Sequence, residues 1–262
     1  MNKYFVSFFL ICLAMPVVWA QVKELEVKEN RAAWADESIA IILAARAKAD
    51  ASPEHQAKIA EIKANVDLMP KDGNEQDLGV FQQGLDLSAT TVTGSFRLRV
   101  ISQDVTDYCN QKRSEATTAA QKQVYEHRCS IVLGFILFNA AQTNGDLAQQ
   151  MRSLAGKIQK LIAHYQQLLS EAKACRQDDP ETYDPIIARL ERIMVAYQKA
   201  SQHYLSAAAS LEKAKIKFGK QAAQLEKMVY FSRMANVRIA EILEKQAQEI
   251  AEYAEKLANF KF

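Results

Sequence analysis

The side chains best suited to chemistry in this 262-residue chain are its histidines, its cysteines and two groups of carboxylates. His127 lies two residues before Cys129, and the two could together begin a zinc site. A zinc site needs further ligands at matched spacing, which this pair lacks. The polar stretch 72–77 has neither the alternating ligands nor the distal glutamate of a calcium loop. The sequence therefore predicts no metal site.

Catalytic motifs are also missing from the sequence. The chain contains no nucleophile elbow, zinc-protease motif, P-loop, CxxC pair or dinucleotide fingerprint. The carboxylates between Asp178 and Asp184 are explained by capping of the helix that follows them. We therefore expect no catalytic residue, no cofactor and no enzymatic activity. An enzyme with a dispersed site is the remaining alternative.

The cysteines point to a disulfide rather than to a reactive thiol. Cys109 and Cys129 flank one helix-rich hairpin, and we predict that they form a disulfide. In the chain-entropy model the loop that they close contributes about 3 kcal/mol to stability. Cys175 is then unpaired, either buried or linked to a second chain.

The first twenty residues have the three-part pattern of a cleaved secretory signal peptide. Lys3 supplies the positive charge, Val6–Val18 is apolar, and Ala20 precedes a polar stretch. Cleavage after Ala20 gives a periplasmic or secreted protein. A membrane anchor, the alternative, needs roughly 20 apolar residues, and this run is shorter. A lipoprotein is excluded because Ile11 precedes Cys12, where a small residue is needed.

The mature chain has 242 residues (262 minus 20), enough for one large or two small domains. Its 33 lysines and arginines nearly balance 31 aspartates and glutamates, which argues against nucleic acid as a partner. Only eight glycines and five prolines occur, which is typical of long helices. The composition predicts an all-α protein.

The N-terminal region, 21–145, is predicted to contain several helices and an apolar core helix. Helices are expected over 25–48, around apolar residues that include Leu43, and over 53–66, followed by a polar loop at 69–79. The segment 85–100 alternates and is rich in β-branched residues, a pattern that could form a small β-hairpin. The alternative is a helix that begins at Ser95 and runs through Tyr108, and we favour it because helical neighbours often override such short signals.

The segment Ile131–Phe138 is apolar on every side, so we expect every face of it to be covered. It is too short to cross a bilayer as a helix. We interpret it as a central core helix. The alternative is a segment that is covered in the folded protein and inserts into a membrane after a conformational change. A turn is expected at Thr143–Asp146, where the first region ends.

The C-terminal region, 146–262, carries two apolar seams whose members alternate three and four residues apart. The first runs from Leu147 to Ala172 and the second from Leu190 to Phe218. A short loop joins them, so they are expected to pack as an antiparallel pair of an elongated helical bundle. We expect the second helix to continue through Gly219, because one glycine costs only about 1 kcal/mol.

Together these patterns predict an exported, non-catalytic helical protein that acts by protein–protein interaction. Other envelope or secreted proteins, or a second copy, are its expected partners, and membrane contact is not favoured. Tyr230 and Phe231 lie where the apolar stripe of the C-terminal region departs from its regular spacing. They are therefore candidates for contact with a partner protein. The class is inferred from architecture and compartment alone. The alternative is a secreted α-helical pore-forming protein that uses residues 131–138.

Overall fold

The computed structural model describes residues 31–65, 68–70 and 72–234. This part of the chain forms α-helices and no β-strand, so the predicted all-α class is confirmed. The predicted signal peptide, the predicted helix start at Leu25 and the stripe beyond Met234 lie outside it. The helices are α1 (Arg31–Asp50), α2 (Pro53–Lys63), α3 (Glu75–Glu115), α4 (Ala119–Cys175) and α5 (Pro180–Met234).

The segment 85–100, a possible β-hairpin, is helical and belongs to α3. The favoured helix over Ser95–Tyr108 is confirmed, but its predicted start at Ser95 is wrong, because α3 already begins at Glu75. The low helix propensity of β-branched residues amounts to a few tenths of a kcal/mol each, which tertiary packing readily outweighs. Three hydroxyl groups also donate to carbonyl oxygens one turn earlier, at 2.8–2.9 Å: those of Ser88, Thr90 and Thr91.

The turn predicted at Thr143–Asp146 is absent, because α4 runs unbroken through these residues. The side-chain amide of Asn144 donates to the carbonyl of Ala140 at 2.7 Å, within the helix. A Cβ at Gly145 would lie 3.2 Å from the Lys215 side chain of α5. These turn-forming residues therefore serve helix packing here.

The helix α5 passes through Gly219 and reaches Met234, so continuity is confirmed as far as the structure describes it. Its start also follows the sequence prediction. Asp179 caps it by accepting a hydrogen bond from the Thr182 amide at 3.2 Å, and Pro180 occupies the first helical position.

The chain forms two compact units that share α3, α4 and α5. Among the described residues, unit 1 takes 31–49, Arg97–Phe138 and 220–234. Unit 2 takes Asp50–Phe96 and Asn139–Gly219.

In unit 2, α4 and α5 form the predicted antiparallel pair. Lys173 pairs with Glu191 and Arg152 with Glu212, so residue numbers fall along α4 as they rise along α5. The helix α3 packs against both. The unit 2 core is built from the predicted seams and includes Phe81, Met151, Leu154, Ile158, Tyr165, Leu190, Ile193, Tyr197, Tyr204 and Leu211.

In unit 1, α1 runs antiparallel to α3. Lys48 pairs with Asp104 at 2.8 Å, and the hydroxyl of Tyr108 donates to Glu37 at 2.8 Å. The core between α1, α3 and α4 comprises Ile42, Ala45, Ile101, Val105, Cys109, Cys129, Val132 and Ile136.

Candidate functional site

The two cysteines predicted to pair, Cys109 and Cys129, are brought together by α3 and α4. Their sulfur atoms are at disulfide-bonding distance, their Cα atoms are 5.9 Å apart, and both residues are buried in unit 1. Because the Cys129 sulfur is bonded, the pair with His127 cannot supply a thiolate to a metal. Cys175 is free and exposed at the end of α4.

The apolar segment Ile131–Phe138 is covered less completely than the sequence predicts. Within it, Val132 and Ile136 are buried in the core of unit 1. Leu133 and Phe135 are partly buried against that core, whereas Phe138 is 50% exposed. The expectation that every face would be hidden is therefore wrong at Phe138, whereas the other residues of the segment are buried or half-buried.

The helix α1 also exposes an apolar face. Its buried side carries Ile42 and Ala45, which belong to the unit 1 core, and Ala49. Leu43, one of the apolar residues around which the sequence predicts this helix, is 47% exposed. It belongs to a set of four exposed residues at positions i, i+3, i+4 and i+7, which we call the α1 outer face: Ala40, Leu43, Ala44 and Ala47.

In unit 2, a buried carboxylate lies between two tyrosines. The Oδ2 atom of Asp77 accepts hydrogen bonds from the hydroxyls of Tyr165, at 2.7 Å, and Tyr197, at 2.8 Å. Asp77 lies in the first turn of α3, where the helix dipole favours negative charge. The cluster therefore joins the start of α3 to α4 and α5.

Burial keeps these tyrosine hydroxyls protonated. Burial, together with the hydrogen bond to Asp77, raises the pKa of Tyr165 and of Tyr197 above the usual value. Burial alone raises the pKa of Tyr204 to about 12. The hydroxyls of Tyr165 and Tyr197 therefore act as donors to Asp77, and the cluster is suited to holding helices together.

Two glycines make room for this aromatic core. A Cβ at Gly73 would lie 2.7 Å from the Tyr197 hydroxyl, and one at Gly84 would overlap the Tyr204 hydroxyl. Small residues at these positions let the backbone lie directly against the rings.

His55 is the one histidine of the four that is fully buried. Its ring stacks on Phe96 with centroids 5.2 Å apart, and its Nε2 lies 3.0 Å from the Thr93 hydroxyl. His164 and His203 lie exposed beside Tyr165 and Tyr204, consistent with rim positions. His55 thus joins α2 to α3 within unit 2.

Within the described residues, no group of three or more histidine, cysteine or carboxylate side chains is arranged to hold a metal ion. In that same part of the chain, none of the helices has the length and apolar character needed to span a bilayer. Tyr230 and Phe231 lie in the last turns of α5, but their side chains are outside the described part.

Comparison with protein-family models, with curated proteins and with solved structures finds no match to this chain. The class of protein therefore follows from the fold, which is an all-α helical bundle.

Sequence reasoning missed the Asp77 cluster and the α1 outer face for different reasons. The cluster joins residues 88 and 120 positions apart, which no local pattern reveals. The α1 outer face was readable, because Ala40, Leu43, Ala44 and Ala47 repeat at helical spacing beside the buried stripe.

Proposed function

We propose that this chain is an exported, non-catalytic protein that binds other proteins through exposed helix faces. The signal-like pattern that ends at Ala20 supports export. The Cys109–Cys129 disulfide fits an oxidising compartment such as the periplasm or the exterior. The proposed role is that of an accessory component of a bacterial envelope, secretion or pilus assembly.

The α1 outer face is the observation that carries this proposal. Its four residues are exposed over two turns of helix, and none is polar or charged. Three of them are alanines, so a partner helix can approach α1 closely while Leu43 supplies an apolar anchor. Recognition of this kind places the apolar face of one helix against that of another. We therefore take the partner to be an amphipathic helix of another exported protein.

The interaction can be tested with a photo-crosslinking amino acid at position 43 of the full-length chain, expressed in its native envelope. Leu205 is the matched control, because it is an exposed leucine of α5 in unit 2. We expect an adduct of defined mass from position 43 and none from position 205. Leu43→Asp should abolish capture by a crosslinker at Ala47 without lowering the melting temperature. Equal labelling from positions 43 and 205 would refute the proposed face.

Export is tested separately by fractionation and by the mass of the mature chain. The proposal requires a species that begins at Gln21. A full-length product confined to the cytoplasm would exclude it.

The exposure of Phe138 favours a second candidate, a pore-forming protein that inserts residues 131–138. Dye release from liposomes tests this candidate. Leakage by the purified mature chain that Phe138→Asp abolishes would favour it over the docking role. The absence of leakage across acidic and neutral pH would count against it.

A further inference from the structure

The exposed side of α5, within unit 2, carries a second row of residues with coiled-coil-like spacing. Its positions alternate four and three residues apart, so on a helix they form one face. This face is opposite the buried seam that contains Tyr204. We call it the lysine face, and its residues, all exposed, are Val195, Lys199, Gln202, Ser206, Ala209, Lys213 and Ile216.

Acidic residues are absent from most of this stretch of α5. No aspartate or glutamate occurs between Glu191 and Glu212 in the sequence. Glu191 pairs with Lys173 of α4 at 2.9 Å. Glu212 pairs with Arg152 of α4 at 3.5 Å and with Lys215 at 3.2 Å. Both flanking carboxylates therefore already have partners.

The lysines of the face have no such compensation. Lys199 and Lys213 form no ion pair with any residue that the structure describes, and neither does Lys217, one turn after Lys213. Like charges one turn apart on a helix repel each other. The lysine face therefore offers uncompensated positive charge to a negatively charged partner.

The shape of the face suits a second helix. Val195 and Ile216, at its two ends, are each 51% exposed. They are 21 positions apart, which is about 32 Å along a helix. Ser206 and Ala209, between them, are small enough to allow close approach. The face thus fits an acidic helix of about six turns with apolar side chains.

A segment of matching length and charge lies in this chain beyond the described residues. Positions 239 and 260 are also 21 residues apart. Between them the sequence has five glutamates and two lysines: Glu241, Glu244, Glu249, Glu252 and Glu255, with Lys245 and Lys256. It also repeats large apolar residues at intervals of three, four or eight: Ile239, Ile242, Ile250, Tyr253, Leu257 and Phe260.

The register of a folded-back helix decides which copy can supply this segment. If the residues after Met234 folded back as a helix at once, residue 239 would lie opposite 230, and residue 260 opposite 209. A chain could not cover its own Val195 and Lys199, because they lie beyond that reach. A second copy has no such limit.

We propose that the lysine face of α5 binds residues 239–260 of a second copy of this chain. Reciprocal binding would close a dimer in which each copy gives its acidic segment to the other. This self-association does not depend on the α1 outer face, so the proposed docking function can fail without affecting it.

The test is sedimentation velocity of the mature chain, residues 21–262, over a range of concentrations. The wild type should self-associate at low ionic strength and dissociate in about 0.5 M salt, where charges are screened within a few ångströms. Lys199→Glu, Lys213→Glu and Lys217→Glu together should weaken association about tenfold or more. If this variant loses helical circular dichroism, the three Lys→Gln changes replace it.

Two further variants make the test specific. Lys63→Glu, Lys122→Glu and Lys160→Glu change the net charge equally at exposed positions elsewhere, and should leave association unchanged. Glu241→Lys, Glu249→Lys and Glu252→Lys together should weaken self-association, and mixing this variant with the lysine-face variant should restore a heterodimer. A monomeric wild type, an equal effect of the control triple, or no restoration on mixing would each overturn the proposal.

Discussion

Unit 1 and unit 2 hold the same long helices together by different means. In unit 2, the core follows two periodic seams and contains large buried residues such as Met151, Tyr197 and Tyr204. In unit 1, the described core relies more on β-branched residues such as Ile42 and Val105, and it adds a disulfide. Periodic packing therefore organises one unit, whereas the other adds a covalent link between α3 and α4.

The exposed surfaces of the two units also differ. Unit 1 exposes the α1 outer face, which carries no charged residue, and Phe138. Unit 2 also exposes large apolar residues, but on the lysine face Val195 and Ile216 share the surface with Lys199 and Lys213. An uncharged apolar helix would therefore favour the α1 outer face, and an acidic amphipathic helix would favour the lysine face.

Loss of the disulfide is expected to have the largest effect. Replacement of Cys109 and Cys129 by alanine should lower the free energy of unfolding by about 3 kcal/mol, since the unfolded chain regains loop entropy. Hydrogen exchange should locate the loss in α1 and in the unit 1 parts of α3 and α4. Cys175→Ala is the control and should change little, because that residue is exposed. Equal deprotection of unit 2 would mean that the units do not differ in this way.

A methyl group at Gly84 should destabilise unit 2 by about 1–3 kcal/mol, because it would overlap the Tyr204 hydroxyl. Gly156→Ala is the matched control. Nothing lies within 4 Å of a Cβ at that position, so the higher helix propensity of alanine should stabilise by about 0.5–1 kcal/mol. Urea unfolding measures the stability change of both variants. Changes of the same sign would contradict this account of Gly84.

The same contrast explains what the sequence could and could not predict. The seams of unit 2 were readable because apolar residues from Leu147 to Leu211 repeat at helical spacing and are buried. The segment 85–100 left a hairpin open beside the helix, because its alternation and β-branched residues are a local signal that packing overrides. The Asp77 cluster was beyond prediction, because its hydrogen bonds join three helices far apart in sequence.

Removal of the tyrosine hydroxyl should have different effects on the stability of unit 2 at Tyr197 and at Tyr204. Tyr197→Phe leaves the Asp77 carboxylate with one donor fewer, and should cost about 1–3 kcal/mol. The Tyr204 hydroxyl is buried without a hydrogen-bond partner among the described residues, so Tyr204→Phe should be neutral or stabilise by up to about 1 kcal/mol. Urea unfolding at neutral pH distinguishes the two. Equal losses would show that Asp77 gains nothing from Tyr197.

Alkaline pH should lower the stability of unit 2 through the ionisation of Tyr204. Burial raises the pKa of Tyr204 to about 12, above its value near 10 in an unfolded chain. A raised pKa means that the unfolded chain loses its proton first. The stabilisation is therefore complete below pH 10 and is lost as the pH rises toward 12, at about 1.4 kcal/mol per pH unit. Because Tyr204→Phe removes this group, the stability difference between wild type and variant should stay constant from pH 8 to 9.5. Between pH 10 and 11 it should shift in favour of the variant. A difference that remains constant up to pH 11 would show that Tyr204 ionises as readily in the folded chain as in the unfolded one.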